Sequence, residues 1–331
     1  MHQPEVVRLA RFLLALALVL PVARSGWSAS VAAAFLAEFL TEGRVTALSA
    51  LTPAPVRRPL PLQGVAADRF TPTGLAGGRP LVLVHGLTPA GKDDPRLQQA
   101  AGLLARAGFD VVVPTIPGLT RGRLRPDDAV PVVAALAARD APTALVSVSV
   151  GAGPALLAAA DPRVRDRVRV VVSLGGYASA RELVRYYLTG GYAFGAVHGR
   201  VAHDPRAVEA FVGANADLLD DATRALLRAR AFERIDARLD SASPELERLF
   251  RALSPADGVS RVRARLLLVH GRADQAVPYT ESLRLAAARP ERTRLVVVGL
   301  LDHVEGDPAG GGAVPDLLAL WSVMYELLAA R

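Results

Sequence analysis

A serine in a turn of small residues, an aspartate just past an apolar run and a late histidine are the residues with which this chain could do chemistry. The stretch Leu145-Val146-Ser147-Val148-Ser149-Val150-Gly151-Ala152-Gly153 joins a run of strand character to a small-residue turn, and Pro154 to Ala160 then reads as helix. A serine at such a corner, with small residues two before and two after it, has the form of a nucleophile elbow, because the flanking backbones must pass close together. Ser149 meets that spacing through Ser147 and Gly151. Ser147 does not, since Leu145 and Ser149 would occupy its two crowded positions. The nine residues alone also fit a buried strand entering a helix through an ordinary Gly-rich turn.

A serine hydroxyl is weakly nucleophilic at neutral pH, so it needs a base, and the base needs an orienting acid. In strand–turn–helix frameworks with this elbow, the three groups follow in the order serine, acid, histidine. The histidines are His2, His85, His198, His203, His270 and His303. His2 lies in the leader, His85 precedes the serine, and His198 and His203 fall in a helical stretch. His270 ends a strand but leaves no strand-end acid between itself and Ser149, so His303 alone follows both groups. The acid is Asp274, in Gly271-Arg272-Ala273-Asp274, where the small residues allow a turn over the sheet edge. Asp302 is a poorer orienter, since adjacent loop side chains rarely face one another. Taken singly, Asp274 could be a turn residue and His303 a solvated loop histidine; their joint order and strand-end positions favour the triad.

A tetrahedral intermediate also needs preorganised donors for its oxyanion. The backbone N–H groups of Val150, at a helix start, and of Leu87, just past His85-Gly86, are the candidates. His85 and Tyr177 are expected at the substrate pocket, with His85 shaping its loop rather than acting as a base. His198, His203 and Asp204 carry too little pattern for a metal site, and neither metal nor organic cofactor is implied.

The elements that would position these groups are short apolar runs. Val65–Phe70, Leu81–Val84, Phe109–Val113, Thr143–Val148, Val168–Leu174, Leu266–Val269 and Leu295–Val298 read as strands. Helices after most of them make a doubly wound, mostly parallel sheet the expected fold, of class α/β. Residues 63–179 and 256–331 form its core, and 180–255, without strand signal, form a helical cap insertion. Pro53, Pro55, Pro59 and Pro61 make 41–62 a Pro-rich linker. Arg8 and Arg11 precede the apolar run Phe12–Ala23, so 1–40 reads as a signal peptide or membrane-anchor helix. That places the catalytic part outside the cytoplasm, with a cytoplasmic body and a packed N-terminal helix as the alternative. Val84-His85-Gly86 and Val269-His270-Gly271 repeat one tripeptide at two strand ends.

The chain has 331 residues and no cysteine, which excludes thiolate catalysis and disulfides. A net charge of +7 invites a nucleic-acid or anionic-membrane partner. Lys92 is the only lysine, however, and the arginines are scattered without interleaved aromatics, so no nucleic-acid partner is expected.

With His85-Gly86-Leu87, Ser147-Val148-Ser149-Val150-Gly151, His270-Gly271-Arg272-Ala273-Asp274 with Val277-Pro278-Tyr279, and Leu301-Asp302-His303, the chain resembles α/β-hydrolase fold proteins over about residues 60–331. The Asp274 segment is similar to those of serine esterases, dienelactone-hydrolase-like proteins and prolyl-oligopeptidase-type peptidases. The resemblance implies a Ser149–His303–Asp274 triad under a helical cap. Ser147 departs from the usual first glycine of the elbow, and Pro114-Thr115-Ile116-Pro117-Gly118 matches the usual loop only loosely, which leaves the substrate type open. The expected activity is hydrolysis of a small-molecule carboxylic ester. A peptidase or amidase with the same triad, and a membrane-tethered binding protein without turnover, are the alternatives.

Overall fold

The computed structural model describes residues 25–330 except 63, 75–77, 217–218, 230, 303–304 and 307–312. Eight strands form one sheet: β1 (Val56–Pro59), β2 (Ala67–Thr71), β3 (Arg79–Val84), β4 (Phe109–Pro114), β5 (Thr143–Val148), β6 (Val168–Leu174), β9 (Arg265–Gly271) and β10 (Thr293–Val298). Their order is β1-β2-β4-β3-β5-β6-β9-β10. β1 with β2 and β2 with β4 pair antiparallel; the remaining pairs are parallel.

The strand period of two divides the core into two layers. Leu81 and Leu83 of β3, with Ala144 and Val146 of β5, face one cluster. Val82, Val84 and Leu145 face the other. Behind the first layer lie α1 (residues 25–40), α2 (Pro95–Arg106) and α11 (Ala313–Ala329). Behind the second lie α3 (Ala129–Ala137), α4 (Ala152–Ala159) and α10 (Thr280–Ala288). Apolar strands buried on both faces are the signature of a sheet covered by crossover helices. Local chemistry starts these helices where the sheet needs them. Asp94 caps α2, accepting from the N–H groups of Arg96 and Leu97 at 3.0 and 3.2 Å, and Pro95 occupies the first turn.

Three expectations are corrected. First, residues 25–40, within the stretch expected to be leader or anchor, form a helix packed on the globular body. Val31, Ala32 and Phe35 are buried, and the Trp321 indole N–H donates to the Ala29 carbonyl at 3.0 Å. The apolar residues recur on one helical face, which favours packing against a core. Residues 1–24, with the run Phe12–Ala23, lie outside the described residues. Among the described residues no helix is long and apolar enough to cross a membrane.

Second, 41–62 is not a free linker. β1 pairs with β2 at the sheet edge, where a missing proline N–H costs least. The Glu38 carboxylate accepts from the N–H groups of Leu48 and Ser49 and holds buried Leu48 onto the body.

Third, the insertion 180–255 is not wholly helical. It contains α5 (Ala180–Thr189), α6 (Pro205–Ala214), α7 (Asp221–Arg228), α8 (Phe232–Asp240) and α9 (Pro244–Leu253), but also the hairpin of β7 (Gly191–Phe194) and β8 (Val197–Arg200). Gly195, at φ +59°, opens its two-residue turn, a hairpin signal hidden in a Gly-rich stretch that reads as a helix break.

Candidate active site

Ser149 follows β5 directly and begins the turn Ser149–Gly151 that leads into α4. Its φ is +54°, a left-handed conformation that few residues other than glycine adopt. Such strain persists only where the surroundings enforce it, and it lifts the side chain off the end of the strand. Glycine at 151 is obligatory, since a Cβ there would lie 2.2 Å from the His85 carbonyl oxygen. Ser147 is fully buried, and its hydroxyl donates to the Val172 carbonyl at 3.3 Å. It therefore serves strand packing and takes no part in the cleft.

The end of β3 meets this elbow. A Cβ on Gly86 would lie 3.1 Å from Ser149 Cβ, so the His85-Gly86-Leu87 turn passes against the nucleophile candidate. His85 is buried and engaged at both nitrogens. Its Nε2 accepts the Ile116 N–H at 2.9 Å, which leaves Nδ1 as the donor to the Gly86 carbonyl at 2.8 Å. Burial holds its pKa below the ordinary imidazole value, so it is neutral. Leu87 and Ser149 line one cleft, and Val150 is the second residue of the helical turn, where the first N–H groups have no intrahelical acceptor. Leu87 and Val150 thus lie on either side of Ser149.

Asp274 sits in the turn after β9, and its side chain is fully buried. One carboxylate oxygen accepts from the N–H groups of Ala276 and Val277 at 2.8 and 2.9 Å. The other lies 3.3 Å from His270 Nε2. That same nitrogen reaches the Val277 carbonyl at 2.9 Å, and Nδ1 reaches the Ser282 hydroxyl at 2.7 Å. His270 is thus a buried brace for the acid's turn. A Cβ on Gly271 would lie 2.2 Å from the Leu301 carbonyl oxygen, so the turn after β9 abuts the strand Leu301–Asp302. His303 lies outside the described residues. Among the described residues, no group of three or more His, Asp or Glu is arranged to hold a metal ion.

Several solved structures share this arrangement of strands and helices. A Mycobacterium tuberculosis puromycin-hydrolysing peptidase matches with a TM-score of 0.53 and 19% identity over 83% of this chain and 39% of that one. A 2,6-dihydroxy-pseudo-oxynicotine hydrolase matches with 0.53 and 19% over 89% and 78%. A Pyrococcus horikoshii acylaminoacyl peptidase matches with 0.52 and 15% over 85% and 42%. This chain has the α/β-hydrolase fold. It spans about two fifths of the length of the two peptidases. No protein-family model matches it.

In this α/β-hydrolase fold the cleft at Ser149, of about 440 Å³, is walled by unexpected elements. Its lining includes Phe39, Leu40 and Glu42 from the end of α1 and just beyond it, and Leu97, Gln99 and Ala100 from α2. Tyr177, expected at the pocket, is elsewhere: its hydroxyl donates to the Leu253 carbonyl at 2.9 Å, and the side chain is 1% exposed. It is a packing residue under α4, where a Cβ on Gly153 would lie 2.2 Å from its hydroxyl. The other aromatics at the start of the cap hold the cap together. Tyr186 donates to the Gln275 carbonyl at 3.0 Å, tying α5 to the acid's turn, and burial raises its pKa. Tyr187 stacks on Phe211 with centroids 4.4 Å apart. His203 Nε2 lies 3.0 Å from the Tyr186 carbonyl, and the ring stacks on Tyr187. The α1 contribution was missed because an apolar N-terminal segment carries the same composition whether it is exported, anchored or packed.

Proposed function

We propose that this chain is a serine hydrolase acting on carboxylic esters through an acyl-enzyme. The observation that supports this most is Ser149 held at φ +54° on the tip of β5, with the Gly86–Leu87 turn packed against it. Ser149 Oγ attacks the acyl carbon while His303 takes its proton. The N–H groups of Leu87 and Val150 stabilise the oxyanion. Collapse of the tetrahedral intermediate breaks the ester bond, and His303 returns the proton to the departing alkoxide oxygen. Water, deprotonated by His303, then releases the acid and regenerates the serine. Asp274 orients His303 and stabilises its imidazolium. The two amides to Asp274 and its contact with His270 hold that carboxylate in one rotamer.

A peptidase using the same groups is the second reading, because solved structures with this fold include proteins named as peptidases. The positively flanked run Phe12–Ala23 supports export, or anchoring with the body outside the cytoplasm, which fractionation and protease accessibility of the full chain would test.

Labelling with a fluorophosphonate probe tests the nucleophile. The parent should label and Ser149→Ala should not. A folded parent that stays unlabelled overturns the hydrolase reading, whereas labelling that survives in Ser149→Ala moves the nucleophile elsewhere. p-Nitrophenyl esters compared with aminoacyl amides then separate esterase from peptidase.

A further inference from the structure

Beneath the Ser149 cleft, on the α1, α2 and α11 side of the sheet, lies a second cavity of about 110 Å³. Every side chain that lines it is apolar. Its walls come from Leu36 of α1, Leu104 of α2, Val146 of β5, Val172 of β6, and Met324 and Leu327 of α11. Phe39, Leu40, Ala100, Val148 and Leu174 border both spaces, so the inner cavity lies one layer of apolar side chains from the Ser149 cleft. The outer cleft is mixed in character, with Glu42, Asp94, Arg96 and Gln99 on its wall.

We propose that the inner cavity receives the aliphatic acyl chain of the substrate, a straight chain of about four to six carbons. The proposal rests on the hydrolase reading and names the substrate class of that same site. A cavity with no polar partners stays dry, and one of roughly 150 Å³ lined by Leu, Ile and Phe takes up benzene, so a void of this size suits a chain of about that carbon count. The position supplies the rest of the argument. An acyl carbon held at Ser149 Oγ has the shared apolar wall of Val148, Leu174 and Ala100 beside it, which an acyl chain entering the inner cavity would part, and the polar cleft outside is left for the departing alcohol. Residues 25–40, which form part of the wall through Leu36, Phe39 and Leu40, are on this account a specificity element of the enzyme.

The test has two arms. In the first, the full chain hydrolyses p-nitrophenyl acetate, butanoate, hexanoate, octanoate and dodecanoate. kcat/KM should rise about three- to fourfold per methylene up to hexanoate and level off from octanoate to dodecanoate. Ala100→Phe thickens the shared wall and should lower the octanoate-to-acetate ratio by about tenfold or more, with thermal unfolding as the check on its fold. A flat parent series with Ser149-dependent hydrolysis overturns the acyl-chain assignment and leaves the hydrolase reading standing. A rise seen with alkyl acetates, and not with the acyl series, also overturns it.

The second arm needs no turnover. Binding of acetate, hexanoate and octanoate to Ser149→Ala is measured by calorimetry, and hexanoate should bind about 100-fold more tightly than acetate. Equal affinities overturn the cavity's role whether or not esters are cleaved. Affinity that climbs with chain length, in a chain whose parent shows no Ser149-dependent turnover, upholds the aliphatic-chain cavity and removes the hydrolase reading alone.

Discussion

The tripeptide Val-His-Gly ends two parallel strands, as Val84-His85-Gly86 after β3 and as Val269-His270-Gly271 at the end of β9. At both ends the histidine is buried and the glycine lets another segment come close: Ser149 against Gly86, Leu301 against Gly271. The hydrogen bonds run in opposite senses. His85 Nε2 accepts a backbone N–H, whereas His270 Nε2 faces a carbonyl and a carboxylate and so donates. Each ring is thereby fixed, and each braces a different turn: His85 the Gly86–Leu87 turn, and His270 the turn that carries Asp274. The lesson is that a strand-end histidine with both nitrogens committed is a brace, and the base must be sought elsewhere.

Mutations can break that comparison. If both histidines are braces, His303→Ala should cost as much as losing the nucleophile, about 10⁵- to 10⁶-fold in kcat in ester hydrolysis. A loss that large in His85→Ala or His270→Ala, with His303→Ala mild, would reassign the base. Asp274→Asn comes next. With its turn kept, it should lower kcat by about 10⁴-fold through a wrongly oriented imidazole. A change under tenfold would sink its role as orienter.

The two glycine contacts bring smaller, structural effects. Gly271→Ala, like Gly151→Ala beside His85, sets a Cβ 2.2 Å from a backbone carbonyl oxygen, and each should destabilise by roughly 3 kcal/mol in denaturant unfolding. His270→Ala leaves the Val277 carbonyl without that partner and should cost about 1–3 kcal/mol, with Ser282→Ala costing less.

The smallest effect is a pH dependence at His85. Burial lowers its pKa in the folded protein, so the unfolded chain takes up the proton first. Stability from this group should therefore fall as pH drops below about 6.5, by at most about 1.4 kcal/mol per pH unit. Protonation removes the Nε2 lone pair that accepts from Ile116. His85→Gln should flatten this acid-side slope in urea titrations, and an unchanged slope would mean that other groups carry it.

The outcome of reading the sequence differs from part to part for physical reasons. The sheet strands were legible because apolar β-branched runs bounded by turns are a local signal, and Ser149 stood out because its turn tolerates only small neighbours. The elbow's Gly151 was legible for the same reason. β1 was hidden by its prolines, and the β7–β8 hairpin by glycines that read equally as breaks. Tyr177 looked like a pocket residue because it follows a strand end. Its direction depends on a gap left by Gly153 in α4, on the far side of β6 in the chain, and no local pattern records that.

By itself, the sequence determined the α/β class and the serine at the elbow, because these depend on local sterics and on the alternation of strands and helices along the chain. Only the tertiary structure decided that His85 and His270 are braces, that Tyr177 and Tyr186 are buried in packing, and that residues 25–40 wall the cleft. Those facts depend on which distant backbone groups meet each side chain once the layers have packed. An apolar helix, or a histidine after a strand, has the same sequence whatever partner the fold brings to it.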